Sequence, residues 1–211
     1  MNIKILHINT NHSFEKFEKF LPMISEERRM KISQLHFDKD KIVSLFTEFL
    51  IKKEVFQQLH IPYSKINFMY GECGKPYLTN NCDYHFSVSH SENCIAFVSN
   101  NCPIGIDLER IATAYWPIAK RFFTPNEYIF TQKSRDPNKA FYKIWTAKEA
   151  YVKMLGLGLS KSFRTFDILS RSLSCAFKSF DLSEYIITVC SEQIIEDKVI
   201  IKVISEDELF E

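Results

Sequence analysis

An apolar run from Ile3 to Ile8 opens the chain and reads as a β-strand, after which the spacing of apolar positions lengthens. From Asp38 to Leu59 they recur at Ile42, Leu45, Phe46, Phe49, Leu50, Val55, Phe56 and Leu59. That three-to-four spacing predicts a long amphipathic helix ending before Pro62. A shorter helix is expected after Ser25, whose hydroxyl can cap a first turn carrying Glu26 and Glu27. Ile66 to Tyr70 reads as a strand and Gly71 to Tyr77 as a turn. Tyr84 to Ser89 and Cys94 to Ser99 read as a strand pair turning at Ser91 to Asn93.

The second half starts near Pro103 with a short strand in GIDLER, Gly105 to Arg110. A helix is expected around Tyr115 to Phe122, and Thr124, Pro125 and Glu127 form a capping-box start for another. Asp136 and Pro137 start a third, with Phe141, Ile144, Ala147, Tyr151, Met154 and Leu155 on its buried face and GLGL to stop it. Phe166 to Leu169, Tyr185 to Cys190 and Lys198 to Ile204 read as strands, and the acidic end SEDELFE as a solvated tail.

Composition narrows the function. The chain has 211 residues, 45% hydrophobic and 25% charged, with a net charge of +1. This is ordinary globular composition without a global field, so a nucleic-acid surface is not expected and any anion site must come from local clustering. No apolar run approaches the ~20 residues of a membrane span. The six cysteines show no zinc-ligand spacing, and a reducing cytosol with free thiols is the simplest expectation. The five glycines, Gly71, Gly74, Gly105, Gly156 and Gly158, all lie beside the segments that carry candidate chemistry.

In GIDLER, strand alternation puts Asp107 and Glu109 on one face and Ile106 and Leu108 on the other. In WTAKEAYVK, helical spacing lines up Trp145, Glu149 and Lys153. Taken singly, the first pair reads equally as wet residues of an edge strand, and the second as an ordinary helix ion pair. Together they supply three carboxylates with hard oxygen donors, the type that magnesium takes while keeping water and phosphate oxygens. FSVSHS, Phe86 to Ser91, alternates apolar and hydroxyl side chains and leaves His90 near the strand's end, while GKPY holds Lys75 in a stiff turn. These groups suit a phosphate. Ser89 with His90 does not suggest a serine hydrolase, since no GxSxG elbow surrounds the serine.

GKPY, FSVSHS, GIDLER and WTAKEAYVK, in that order and spacing, closely resemble the 4'-phosphopantetheinyl transferases of the surfactin-synthetase-activating type. EERRMK, RFFTPNEY and GLGLS extend the resemblance over nearly the whole chain. It departs in the long helix, where relatives commonly carry an Arg and a Gly and DKIVSLFTEF has neither.

The resemblance implies an α+β fold, a pseudo-dimer of two similar subdomains acting as a cytoplasmic monomer. Residues 1–103 would form the N-terminal subdomain, with the nucleotide contacts, and 104–211 the C-terminal one, with the magnesium and catalytic residues. It implies transfer of the phosphopantetheine arm of coenzyme A to a serine of an apo acyl or peptidyl carrier protein, with Mg2+ bound by Asp107, Glu109 and Glu149. Glu149 and Lys153 would be catalytic, and Arg28, Lys31, Lys75, Ser89, His90 and Lys148 would hold the nucleotide or its phosphates. Among Trp116, Phe122, Phe123 and Tyr128 it implies one or two anchors for the carrier, beside Lys120 and Arg121. Two other expectations stay open: a magnesium-dependent coenzyme A pyrophosphate hydrolase, and a catalytically silent coenzyme A binder.

Overall fold

A computed structural model describes residues 1–9, 11–79, 81–158, 162–195 and 198–210. Leu159 and Ser160 of GLGLS and Glu211 of the acidic end lie outside the described residues. Nine strands and six α-helices are seen among the described residues, in mixed α+β order.

The first half contains β1 (Asn2–His7), α1 (Glu26–Ser33), α2 (Asp38–Leu59), β2 (Phe68–Tyr70), β3 (Pro76–Leu78), β4 (His85–Ser91) and β5 (Cys94–Asn100). Ser25 caps α1 by accepting from the Arg28 amide. The second half contains β6 (Ile104–Arg110), α3 (Trp116–Phe122), α4 (Pro125–Lys133), α5 (Pro137–Leu155), β7 (Ala176–Leu182), β8 (Tyr185–Ser191), β9 (Ile200–Ile204) and α6 (Glu206–Phe210). Thr124 and Glu127 complete the capping box of α4, and Asp136 caps α5.

A four-stranded sheet runs β4-β5-β1-β9, a three-stranded one β6-β8-β7, and β2 pairs with β3. Alternation explains how they stack. On β5, Ile95 and Phe97 face a core shared with Phe46, Phe49 and Leu50 of α2, while Cys94, Ala96 and Val98 face the other way. That second face meets Ile104, Ile106 and Leu108 of β6 and Ile187 and Val189 of β8. The opposite face of β6 and β8 lies against α5, where the Thr146 and Thr188 hydroxyls hydrogen bond at 2.7 Å. The order is therefore helix, sheet, sheet, helix. Gly105 allows the last contact, since a Cβ there would stand 1.9 Å from the Ala150 carbonyl oxygen of α5.

Two expectations need correction. Phe166 to Leu169 is not a strand, because its backbone groups bond to side chains instead of a neighbouring ladder. Lys148 Nζ donates to the Phe166 carbonyl, and Glu127 and Asp167 accept from the Ile168 and Leu169 amides. The strand in this region is β7, whose alternation of apolar and polar residues is irregular. The chain also does not end in a solvated tail. β9 returns to the first sheet, parallel to β1, and α6 buries Leu209 and stacks Phe210 on Phe20 with ring centroids 4.3 Å apart. Residues 200–210 thus complete the first half's core.

Leu209→Ala is expected to lower stability by about 2–4 kcal/mol in denaturant unfolding, the usual result of emptying a packed leucine site. A loss below about 0.5 kcal/mol would mark α6 as a frayed end.

Candidate active site

The edge strand β4 of the first sheet passes beside the edge strand β6 of the second, and its alternating serines face that neighbour. Ser87 Oγ accepts from the Ile106 amide at 3.1 Å and Ser91 Oγ from the Arg110 amide at 3.2 Å. Ser89 Oγ donates to Asp107 Oδ1 at 2.7 Å, and Ser91 Oγ to Glu109 Oε2 at 2.9 Å. Hydroxyls thus replace part of a backbone ladder along the seam, and two of them hold the carboxylates that strand alternation places on one face.

Helix α5 supplies the rest. Lys153 Nζ lies 2.8 Å from both Asp107 Oδ1 and Ser89 Oγ. Asp107 is only 3% exposed, and its buried Oδ2 has no hydrogen-bond partner among the described residues. Burial raises the Glu109 carboxyl above its ordinary range and Asp107 pushes it further, against hydrogen bonds from Ser91 and Trp145. Glu149 is raised to about 7, first by burial, then by the Asp107 charge, with Glu109 adding to it and Lys153 opposing. The three acids therefore sense one another on the second half's side of the seam.

Among the described residues, no three or more His, Cys, Asp or Glu side chains are already gathered as a metal cage. The donor set nevertheless fits a hard divalent ion. It offers only oxygen, it places three carboxylates against the single ammonium of Lys153, and it contains an orphaned buried carboxylate oxygen.

A cleft of about 820 Å3 opens beside these acids, reaching from Lys153, Ser89 and His90 to Arg28, Lys31 and Tyr70. A smaller cavity of about 270 Å3 is lined by Glu149, Lys153, Val152 and Cys73. Arg28 is aimed by Glu48, 3.3 Å from its Nε, and Glu48 also accepts from Ser25 and faces Lys52 at 3.3 Å. Glu48 was not singled out from the sequence; an acid inside the apolar stripe of α2 was the signal. Lys31 is lowered by burial and by Arg28. The imidazole of His90 is lowered chiefly by loss of water, with Lys153, Lys31 and Arg28 adding to the effect. A polyanion would relieve this crowding of cations.

Two expected phosphate ligands are placed otherwise. Lys148 is fully buried away from the cleft, 2.8 Å from the equally buried Glu127, and its ammonium also donates to the Phe163 and Phe166 carbonyls. It ties α5 to α4 because a buried ammonium needs every donor satisfied. Lys75 borders the smaller cavity, but its Nζ donates to the carbonyls of Ile104, Lys153 and Met154, and burial lowers it to about 8. It fastens the 71–77 turn to the end of α5, where Gly156 takes a left-handed φ of 71°.

Two family models match the chain. Residues 11–102 fit the N-terminal region of 4'-phosphopantetheinyl transferases and residues 103–203 the 4'-phosphopantetheinyl transferase superfamily. The chain is 37% identical over 145 residues to the 4'-phosphopantetheinyl transferase gsp of Aneurinibacillus migulanus, covering 68% of this chain and 60% of that protein. It is 31% identical over 170 residues to the 4'-phosphopantetheinyl transferase Sfp of Bacillus subtilis, covering 80% and 76%. A yeast protein, the L-aminoadipate-semialdehyde dehydrogenase-phosphopantetheinyl transferase of Candida glabrata, is 26% identical over 179 residues, covering 80% and 67%.

Without a metal, folded Glu149 keeps a proton between its ordinary 4.5 and about 7 that the unfolded chain has released. Its ionisation therefore lowers stability as pH rises through that window. In metal-free buffer, Glu149→Gln is expected to raise the melting temperature more at pH 8 than at pH 5. An effect of equal size at both pH values would contradict the burial and repulsion assigned to this carboxyl.

Proposed function

Since the chain belongs to the 4'-phosphopantetheinyl transferase superfamily, we propose that its cleft binds coenzyme A and moves the phosphopantetheine arm to a serine of an apo carrier protein. The observation that carries this reading is the buried, unpartnered Asp107 Oδ2 beside Glu109, Glu149 and Lys153, at the end of a cleft lined by cations.

The serine oxygen bonds to the phosphorus that carries the pantetheine arm. The bond from that phosphorus to the bridging oxygen breaks, and adenosine 3',5'-bisphosphate leaves. Asp107 and Glu109, with Glu149 beside them, would hold magnesium, which would supply charge neutralisation at the pyrophosphate. Glu149, raised to about 7 in the metal-free chain, is suited to take the serine proton near neutrality, a contribution of ~10²–10⁴ in rate. Lys153 pairs with Asp107 at 2.8 Å and sits where a phosphate oxygen can approach. Arg28 and Lys31 line the far part of the cleft and His90 the near part, and all three suit the remaining phosphates, while Ser89 holds Asp107. The nucleotide thus lies on the first half and the acids come from the second, one chain providing both. We assign it as a monomer.

Carrier docking is assigned to the surface beside α3 and α4. Of the expected aromatic anchors, Phe123 is buried and Trp116, Phe122 and Tyr128 are partly buried in a local core. The exposed apolar side chains are instead Tyr115, Ile129 and Phe130, near the exposed Lys120 and Arg121. Exposed apolar side chains with exposed cations nearby in the sequence fit an acidic helical partner.

Incubation with coenzyme A, Mg2+ and an apo carrier protein, followed by intact-mass measurement, is expected to show the carrier gaining the phosphopantetheine mass, with adenosine 3',5'-bisphosphate released. Asp107→Asn is expected to lower turnover about 10²-fold or more while the protein stays folded. Nucleotide release without mass gain would indicate hydrolysis, and neither product a silent binder; both would overturn the reading.

A further inference from the structure

Ser91 ends β4, and its hydroxyl makes two bonds to β6, donating to Glu109 Oε2 at 2.9 Å and accepting from the Arg110 amide at 3.2 Å. A hydroxyl has one proton to give, so with the amide filling a lone pair, the proton is directed to the carboxylate. Glu109 is thereby held from the other half by Ser91. Some outside hold is needed. Glu109 shares its strand face with Asp107, sits only partly buried near the outer end of β6, and is pushed by the like charge of its neighbour. Without the hydroxyl, a flexible glutamate turns outward to water.

The same stripe contains an internal control. Ser87 stitches the seam in the same way, accepting from the Ile106 amide at 3.1 Å, and no bond from its hydroxyl to a carboxylate is seen among the described residues. Ser87 and Ser91 thus make the same kind of bond to the second half, but only Ser91 also grips an acid.

We propose that Ser91 is a positioning residue that orients the Glu109 carboxylate for the divalent ion, so that the seam between the halves sets the ion's affinity. This rests on the assignment of Asp107 and Glu109 as ion ligands. An outer hydroxyl that orients a ligating carboxylate typically carries 10–100-fold in metal affinity.

The test uses Mn2+ as an oxygen-seeking stand-in for Mg2+, with free Mn2+ read by electron paramagnetic resonance in the presence of coenzyme A. Ser91→Ala is expected to bind Mn2+ about 10–100-fold more weakly than the wild type, and Ser91→Thr, which restores the hydroxyl, within about 3-fold of it. Ser87→Ala is expected to lose thermal stability comparable to Ser91→Ala, yet to bind Mn2+ as the wild type does. Wild-type affinity in Ser91→Ala, or equal weakening in Ser87→Ala, would overturn the positioning role while leaving the ion site intact. If the wild type itself takes up no Mn2+ with coenzyme A present, the ion assignment fails and the role of Ser91 falls with it.

Discussion

The structure is organised around an aspartate buried where two sheets meet. Asp107 has almost no exposed surface, one oxygen shared by a serine and a lysine, and the other with no partner. An ionised carboxylate in that position is costly unless cations attend it, and Lys153 is one against three acids. The surroundings are built to hold this imbalance. Gly105 lets α5 approach β6 closely, which brings Glu149 and Lys153 to the acids, and the serines of β4 fix the acids from the other half.

The two halves divide the chemistry. The first presents Arg28, anchored by the buried Glu48, and Lys31 along α1 with His90 near the end of β4, and forms a wide cleft suited to a polyanion. The second presents the carboxylates and helix α5 with Glu149 and Lys153. Neither sheet holds a complete site, because Ser89 and Ser91 lie on one side of the seam and their acid partners on the other. The return of β9 beside β1 and the packing of α6 under Phe20 make the halves interdependent, so the seam is held at its edges and by the chain end.

Much of this was legible in the sequence, for identifiable reasons. The long helix from Asp38 to Leu59 and the capped starts at Ser25, Thr124 and Asp136 follow from local rules and occur as expected. Strand alternation correctly paired Asp107 with Glu109. What escaped were properties decided by distant contacts. Lys148 and Lys75 look like any cation next to a motif, yet each ammonium is taken up by acceptors far along the chain, Glu127 and the Phe163 carbonyl for one and the Ile104 and Lys153 carbonyls for the other. The charged end looks solvated because Leu209 and Phe210 are too few to reveal that a core waits for them. Phe166 to Leu169 has strand composition, but its hydrogen bonds go to side chains of α4 and α5 and to Asp167.

The most direct test is the anomalous-scattering map of crystals grown with Mn2+ and coenzyme A. The account predicts a peak at oxygen-bonding distance from Asp107 Oδ2, with Glu109 and the pyrophosphate oxygens around it. A map with the nucleotide bound in the cleft but no metal peak beside Asp107 would contradict it.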